Sequence, residues 1–263
     1  MGASAATTWA EQLGAWGIPA AILEQAPQSP WIHPVQSFRP VGDLAVDTPS
    51  RHRALDALSS RGDDTALSVL DVGCGGGRAA FGLVPPATMV VGVDHQSAML
   101  EVFAEEADRR KVQCSTVLGD WPAVAPSTPK CTVVVCHHVA YNVADLVPFL
   151  AELGTHAGRR VVLELPLVHP LSVLSAMWKH FWDVDRPTRP TAHDALAVAR
   201  EAGLDAHIDL FETAAQIKPV SDEDVMFTRI RLCLPESRDA EVRAYLESHP
   251  PGPRQLAAIW WDV

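Results

Sequence analysis

The sequence has few cysteines, no long apolar run and little basic charge, and each shortage excludes a class of protein. Only 5 of the 263 residues are cysteine and no two form a C-x-x-C pair, so we expect reduced thiols rather than disulfides. No apolar run approaches the ~20 residues that a membrane span needs. The first Lys or Arg is Arg39, which leaves no charged region of a secretory signal. We therefore expect a cytoplasmic protein that has no membrane partner.

Basic charge is scarce across the whole chain. The 21 Lys and Arg residues are outnumbered by 32 Asp and Glu residues, and the net charge is −11. An acidic surface repels phosphate backbones, so nucleic acid is disfavoured as a partner. The sequence predicts a small-molecule substrate and is compatible with a monomer or a homodimer. Most of the basic residues are arginine rather than lysine, and Ala and Pro are frequent. This composition is typical of a bacterial protein from a GC-rich genome.

Strand and helix signals alternate from Leu67 onward. Strands are predicted at 67–72, 88–93, 112–118, 131–136, 160–165, 206–211 and 226–234. Helical patterns occupy most of the gaps, at 77–83, 97–110, 143–156, 170–182, 191–202 and 238–248. Repeated strand–helix units predict an α/β fold with a mostly parallel sheet and helices on both faces. The short distance between the last two predicted strands favours an antiparallel hairpin at one edge.

The first fifty residues have a different character from the rest. They contain three tryptophans and many prolines but few charges, which favours one helix around 7–25 followed by extended loop. We expect residues 1–50 to form an N-terminal extension, or lid, over the active site. Residues 51–263 are then the main domain, with a turn at 249–253 and a short apolar end.

A glycine-rich loop, VLDVGCGGG at 69–77, follows the first predicted strand. A dinucleotide-binding loop needs a third glycine where this chain has Arg78, and a phosphate-binding loop needs a Gly-Lys-Ser/Thr ending that is missing here. Asp71 beside the loop would repel a pyrophosphate but attract an amino group or a sulfonium. The loop therefore predicts a ligand that carries positive charge.

Two further acids close the next two strands, Asp94 and Asp120. The carboxyl ends of adjacent parallel strands line one crevice. Asp94 can accept hydrogen bonds from ribose hydroxyls, and Asp120 can accept one from the exocyclic amine of adenine, with Trp121 beside the ring. Together with Asp71 they predict a cationic nucleoside rather than a pyrophosphate.

In this order the motifs resemble those of the class I S-adenosylmethionine-dependent methyltransferases, in particular the small-molecule type typified by ubiquinone-biosynthesis methyltransferases. The matching stretches are VLDVGCGGG (69–77), VVGVDHQSAML (90–100), VLGDW (117–121) and CTVVVCHHVAYNVADLVPFLAEL (131–153). The resemblance covers roughly 67–234. It implies a Rossmann-like seven-stranded sheet with an antiparallel edge hairpin, and S-adenosyl-L-methionine as cofactor. The cofactor-binding residues that follow from it are Asp71, Gly73, Cys74, Gly75, Asp94, His95, Met99, Asp120, Trp121 and His137.

The end of the fourth strand, CHHVAYN at 136–142, is the predicted reaction site. An acceptor hydroxyl must lose a proton, and an imidazole with a pKa near ~6.5 is a suitable base. His137 and His138 point to opposite faces while the strand persists, so only one faces the crevice. Glu164 and His169, just beyond the fifth strand, are the alternative catalytic residues.

Aromatic and polar residues around this point are the candidates for substrate binding. They are Trp31, His33, Tyr141, Asn142, Trp178 and Trp182. The two later tryptophans have a second interpretation, in which they pack on the core or on residues 1–50. The carboxylates do not form a recognisable cage for a hard cation, so no metal site is predicted.

The sequence thus predicts methyl transfer from S-adenosylmethionine to a small molecule, with a hydroxyl oxygen as the favoured acceptor. The alternative is a non-catalytic S-adenosylmethionine or S-adenosylhomocysteine binding protein with the same fold. An NAD-linked oxidoreductase is disfavoured by Arg78 in the loop. The chain also lacks the Asn/Asp-Pro-Pro-aromatic and Pro-Cys motifs of the methyltransferases that modify adenine, glutamine or cytosine.

Overall fold

A seven-stranded sheet organises the computed structural model, which describes residues 2–31, 42, 44–59, 67–215 and 217–263. The strand order is β3-β2-β1-β4-β5-β7-β6. The strands are β1 Ser68–Val72, β2 Met89–Asp94, β3 Gln113–Leu118, β4 Cys131–His137, β5 Ala157–Pro166, β6 His207–Thr213 and β7 Arg254–Asp262. Strands β1 to β5 pair in parallel, and β7 runs antiparallel to both β5 and β6. The predicted Rossmann-like, mostly parallel sheet is confirmed.

Helices cover both faces of this sheet. They are α1 Ala5–Gly14, α2 Ala20–Leu23, α3 Pro49–Ser59, α4 Arg78–Phe81, α5 Ser97–Arg110, α6 Leu146–His156, α7 Ser175–Trp182, α8 Ala192–Glu201, α9 Asp222–Arg231 and α10 Asp239–Ser248. Short 3₁₀ turns lie at 125–127, 140–142, 170–174 and 236–238. Residues 170–182, predicted as one helix, are thus a 3₁₀ turn followed by α7.

The prediction of a seventh strand at 226–234 is wrong, because these residues lie mostly in α9. Ser221 caps this helix by accepting a hydrogen bond from the Asp224 N–H, and the Asp224 carboxylate accepts one from the Ser221 N–H. Three acids in the first turn also favour a helix N-terminus. The seventh strand is instead β7, in the segment predicted as a short apolar end. The antiparallel edge exists, but β7 inserts between β5 and β6.

The prediction of a single helix around 7–25 is also wrong. The chain forms α1 and α2, separated by a break that contains Gly17 and Pro19. Proline has no N–H to donate within a helix and clashes with the preceding turn. Helix α3 was not predicted, and it crosses the proposed boundary at residue 50.

Two apolar clusters hold the helices to the sheet. One face of the strands contributes Leu70, Val134 and Leu163 to the first cluster. The other face contributes Val69 and Val133 to the second. All five residues of β1 are buried, as expected for a parallel strand that is covered on both faces.

The first helix belongs to this core. Trp9 is 0% exposed and donates a hydrogen bond from Nε1 to the Val143 carbonyl at 2.8 Å. Trp16 is also buried, and its Nε1 bonds the Arg189 carbonyl at 2.6 Å. The described part of the N-terminal extension is therefore anchored against the connection between β4 and α6 and against the segment before α8. Its role as a lid stays a prediction.

Candidate active site

The direction of the strand connections reverses at β1, where the sequence predicts the ligand crevice. Strands β2 and β3 lie on one side of β1, and β4 and β5 lie on the other. In open α/β sheets ligands bind outside the carboxyl ends of the strands at such a point. The glycine loop follows β1 here, and the pair His137–His138 lies at the end of β4.

The glycine loop lies against the end of β2. Gly73 and Cys74 both donate backbone hydrogen bonds to the Val93 carbonyl, at 2.8 and 3.0 Å. Gly73 has φ +70°, and a Cβ added there would lie 2.4 Å from Cγ2 of Val139. Glycine is required at this position because the loops after β1 and β4 approach so closely.

Asp94 joins the glycine loop to the end of β2. Its Oδ2 accepts from the Gly75 N–H at 3.0 Å, and its Oδ1 accepts from the Gln96 N–H at 2.9 Å. An ionised carboxylate has about four acceptor sites, so Asp94 keeps capacity for two more donors. The neighbouring His95 is mostly exposed, with Nδ1 at 3.6 Å from Asp94 Oδ1.

Asp71 makes a different contact. It is 1% exposed, and its Oδ2 accepts a hydrogen bond from the Ala80 N–H in α4 at 3.2 Å. Burial raises the pKa of this carboxyl to about 8, with a smaller contribution from Asp94. The side chain therefore fixes α4 to β1, and it lies beneath the glycine loop rather than in open solvent.

The predicted adenine-binding residues lie toward β3. Asp120 is exposed after this strand, and Met99 is buried in α5. The Trp121 Nε1 donates to the Phe149 carbonyl at 3.3 Å, and the ring lies edge-on to His156. Trp121 is therefore held by α6.

The two histidines at the end of β4 share one carboxylate. The strand ends at His137, and His138 takes a left-handed backbone with φ +62°. The expectation of opposite directions does not apply, because alternation ends with the strand. His137 Nδ1 and His138 Nε2 lie 3.9 and 3.4 Å from Oε1 of Glu164.

Burial separates the two imidazoles. The His137 Nε2 is buried without a hydrogen-bond partner among the described residues, and burial lowers its pKa even though Glu164 opposes the shift. The His138 side chain is 49% exposed. Of the two imidazoles, His138 is therefore the one that is open to solvent.

Glu164 is ionised and held from both sides. It is buried, and its Oε2 accepts a hydrogen bond from Oγ of Ser50 in α3. Burial alone would raise the pKa of Glu164, but His137, His138 and Ser50 together lower it to about 2. The sequence analysis did not identify Ser50. The Thr48-Pro49-Ser50 signature of a helix start was the available signal.

Two of the predicted site residues have their polar atoms engaged in packing contacts. The Tyr141 hydroxyl donates to the Pro166 carbonyl at 2.9 Å. His169 is buried between the rings of Trp16 and Tyr141, at centroid distances of 4.1 and 5.1 Å. Its Nδ1 accepts from the Leu171 N–H at 3.2 Å, and burial lowers its pKa to about 4.

The structure does not gather the remaining predicted substrate residues into one wall. Trp178 is 3% exposed in an apolar cluster with Leu232, and the Trp182 Nε1 donates to the Leu232 carbonyl at 2.7 Å. This is the packing interpretation of the two tryptophans. Trp31 is half exposed and Asn142 is exposed. His33 lies outside the described residues.

Among the described residues, no three or more His, Cys, Asp or Glu side chains are arranged to hold a metal ion. No helix there combines the length and apolarity needed to cross a membrane.

Comparisons with known proteins agree with this geometry. Residues 69–157 match the family model of a methyltransferase domain. The chain is 31% identical over 122 residues to a ubiquinone biosynthesis O-methyltransferase of Azorhizobium caulinodans. The matched segment covers 46% of this chain and 48% of that protein. The protein of the same name from Bartonella quintana is 26% identical over 155 residues, covering 57% of this chain and 60% of the relative. The chain thus matches between about half and three-fifths of these curated relatives.

Solved structures share the fold. A methyltransferase from Thiobacillus denitrificans, solved with S-adenosyl-L-homocysteine, superposes with a TM-score of 0.51 at 16% identity. The match covers 94% of this chain and 99% of the other. At this identity the similarity concerns the architecture alone.

Proposed function

We propose that this chain, which carries a class I methyltransferase domain, transfers a methyl group from S-adenosylmethionine to a hydroxyl oxygen of a small molecule. One observation carries the proposal. The glycine loop is tied to Asp94 beside β2, and the adjacent end of β4 presents two histidines to one buried carboxylate. A nucleoside site and a proton acceptor thus meet at the same crevice.

The residues present fit the cofactor. Gly73 leaves no Cβ between the loop and Val139, and Asp94 retains acceptor sites for two ribose hydroxyls. The His137 Nε2 is a buried nitrogen that still needs a partner. We assign Gly73, Cys74 and Gly75 to the methionyl end, Asp94 and His95 to the ribose, and Met99, Asp120 and Trp121 to the adenine. The S-adenosylhomocysteine bound to the Thiobacillus denitrificans relative supports this choice of cofactor.

S-adenosylmethionine supplies a methyl group that is already activated by a sulfonium. The chain therefore has to orient the acceptor, exclude water and remove a proton. His138 is placed for the proton transfer, because its Nε2 faces Glu164 at 3.4 Å and its ring is half exposed. When Nε2 carries the hydrogen toward the carboxylate, Nδ1 holds the lone pair that can accept the hydroxyl proton.

A hydroxyl oxygen is favoured as the acceptor because the site contains a base. Carboxylate and thiolate acceptors are already ionised at neutral pH and need no proton acceptor. The names of the two curated relatives are consistent with oxygen, although the chain matches only part of each. Both a monomer and a homodimer are compatible with this function.

The test is transfer of a labelled methyl group from S-adenosylmethionine to a pool of hydroxylated metabolites. We expect labelled product with the wild type, and a fall of at least ~10²-fold in kcat for His138→Ala. His193→Ala is the matched control, since this exposed histidine lies on α8. Cofactor binding without transfer to any acceptor would identify the chain as a non-catalytic binding protein instead.

A further inference from the structure

A short series of hydroxyl groups leads from the start of α3 to Glu164. Thr48 Oγ1 and Ser50 Oγ lie 2.9 Å apart, and the Arg51 N–H donates to Thr48 Oγ1 at 3.2 Å. Ser50 is 1% exposed and bonds Oε2 of Glu164 across 114 residues of sequence. The Ser50–Glu164 pair lies inside the fold, where bulk water does not compete for the hydrogen bond, whereas Thr48 is partly exposed.

The direction of each hydrogen bond follows from valence. An ionised carboxylate only accepts, so the Ser50 hydroxyl must donate its single hydrogen to Glu164. Thr48 must then donate to Ser50, while it accepts from the Arg51 N–H. All the donors point the same way, toward Oε2 of the carboxylate. A charge-assisted bond of this type is stronger than one between neutral groups.

The other oxygen of Glu164 faces the reaction site. Oε1 lies near Nε2 of His138 and Nδ1 of His137, while the neighbour of Glu164 in β7 is the apolar Ala258. Ser50 is the contact that fixes the rotation of the carboxylate, because it holds the oxygen on the far side from the imidazoles. Without it, Oε2 is free to turn toward either histidine.

We propose that Ser50 is a positioning residue for the reaction: it holds Glu164 so that Oε1 keeps the hydrogen of His138 on Nε2 and leaves Nδ1 free to accept the proton. This inference rests on the proposed function, since it gives His138 the role of base. It adds α3, which the sequence did not predict, to the elements of the candidate active site.

The test compares Ser50→Ala with Ser50→Cys, which retains the side-chain shape but donates weakly. Ser68→Ala is the matched control. Ser68 is also a buried serine, and its hydroxyl pairs with Thr132 at the opposite end of the sheet. The measurements are kcat against pH, KM for S-adenosylmethionine, and the ring ¹⁵N shifts of His138, which report its tautomer without turnover.

We expect both Ser50 variants to lose about tenfold in kcat with KM for the cofactor unchanged, as loss of one hydrogen bond to a charged group predicts. The acid limbs of their pH–rate profiles differ from that of the wild type, because the imidazole that accepts the proton has lost a fixed carboxylate partner. The His138 ring changes from the Nε2–H tautomer to a mixture. Ser68→Ala retains the wild-type kcat, profile and tautomer.

Folded Ser50 variants with wild-type kcat and an unchanged tautomer would overturn the positioning role. A changed tautomer with unchanged kcat would overturn it as well, while the proposed function would stand. A wild type that transfers no methyl group to any hydroxyl would instead reject the proposed function. The positioning role in catalysis would then be lost with it, even if the tautomer responds to Ser50.

Discussion

Two buried carboxyl groups, on strands that flank β4, have opposite electrostatic environments. Asp71 receives one backbone hydrogen bond and has another acid nearby, so burial raises its pKa to about 8. Glu164 is also buried, but two imidazoles and a hydroxyl lower its pKa to about 2. The number and charge of the partners, rather than burial alone, decide the protonation state of each group.

Asp71→Asn should change how stability depends on pH. Between the unfolded pKa of 3.8 and the folded value of about 8, the folded wild type retains a proton that the unfolded chain releases. Its free energy of unfolding therefore falls as pH rises through this window. Asparagine keeps an acceptor for the Ala80 N–H and does not ionise. As the pH rises from about 5 to about 8, we expect the free energy of unfolding of the variant to increase by at least ~1 kcal/mol relative to that of the wild type.

Urea unfolding of both proteins at several pH values measures this difference. Asp108→Asn is a suitable control, because that acid lies in α5 on an exposed turn. Parallel pH dependences for Asp71→Asn and the wild type would show that Asp71 is ionised in the folded protein.

Gly73→Ala tests the close approach of the two loops. The added methyl group would lie 2.4 Å from Val139, and the backbone has φ +70°. We expect a loss of roughly 2–4 kcal/mol in unfolding free energy, from steric overlap and from left-handed strain together. Val139→Ala in the same chain should restore the steric part but not the strain. A double-mutant cycle by urea unfolding measures that coupling, and strict additivity would contradict the contact.

At the scale of elements, β7 is the strand on which the edge of the sheet depends. It lies between β5 and β6, and its Trp261 is 1% exposed. Trp261→Ala should cost about 3–5 kcal/mol, the usual cost of removing a large buried aromatic side chain. Val263→Ala, at an exposed position two residues later, should change stability by less than ~0.5 kcal/mol. Thermal and urea unfolding measure both, and equal effects would place β7 outside the core.

The sequence predicts the parallel part of the sheet better than its antiparallel edge. Strands β1 and β4 are continuous apolar runs, and local pattern is enough to find them. Residues 226–234 alternate as a strand would, but the Ser221–Asp224 capping box and three acids at the helix start prevail. The pairing of β7 with β5 joins positions such as Leu163 and Ile259, far apart in sequence. Local pattern contains no information about that register.

The same distinction applies to the candidate site, where local sequence predicts some residues and tertiary packing determines the others. The glycine loop, Asp94 and the histidine pair each lie at the end of a strand, so their positions come directly from the strand assignment. The left-handed turn at His138 and the bond from Ser50 to Glu164 depend on tertiary packing. No spacing in the sequence indicates that α3 reaches the end of β5.

At the scale of the whole molecule, the N-terminal helix is part of the main core. The Trp9 ring stacks on Tyr141 at 5.5 Å, and the Ala5 N–H bonds Glu201 in α8 at 2.6 Å. Deleting residues 1–30 should therefore lower the free energy of unfolding by at least ~3 kcal/mol, because it removes buried Trp9 and Trp16 together. It should also abolish methyl transfer. Methyl transfer by the truncated protein must be assayed below the temperature at which that protein unfolds. A truncated protein as stable as the wild type would contradict this packing.

The most direct test of the central claim is calorimetric titration of the protein with S-adenosylhomocysteine. The proposed site predicts saturable binding with one ligand per chain, and no heat of binding with NAD. Asp94→Ala should weaken the affinity by roughly 1–3 kcal/mol, since the ribose hydroxyls lose their acceptor. Full affinity in Asp94→Ala, or equal binding of NAD, would contradict the assignment of the crevice beside β1, β2 and β4.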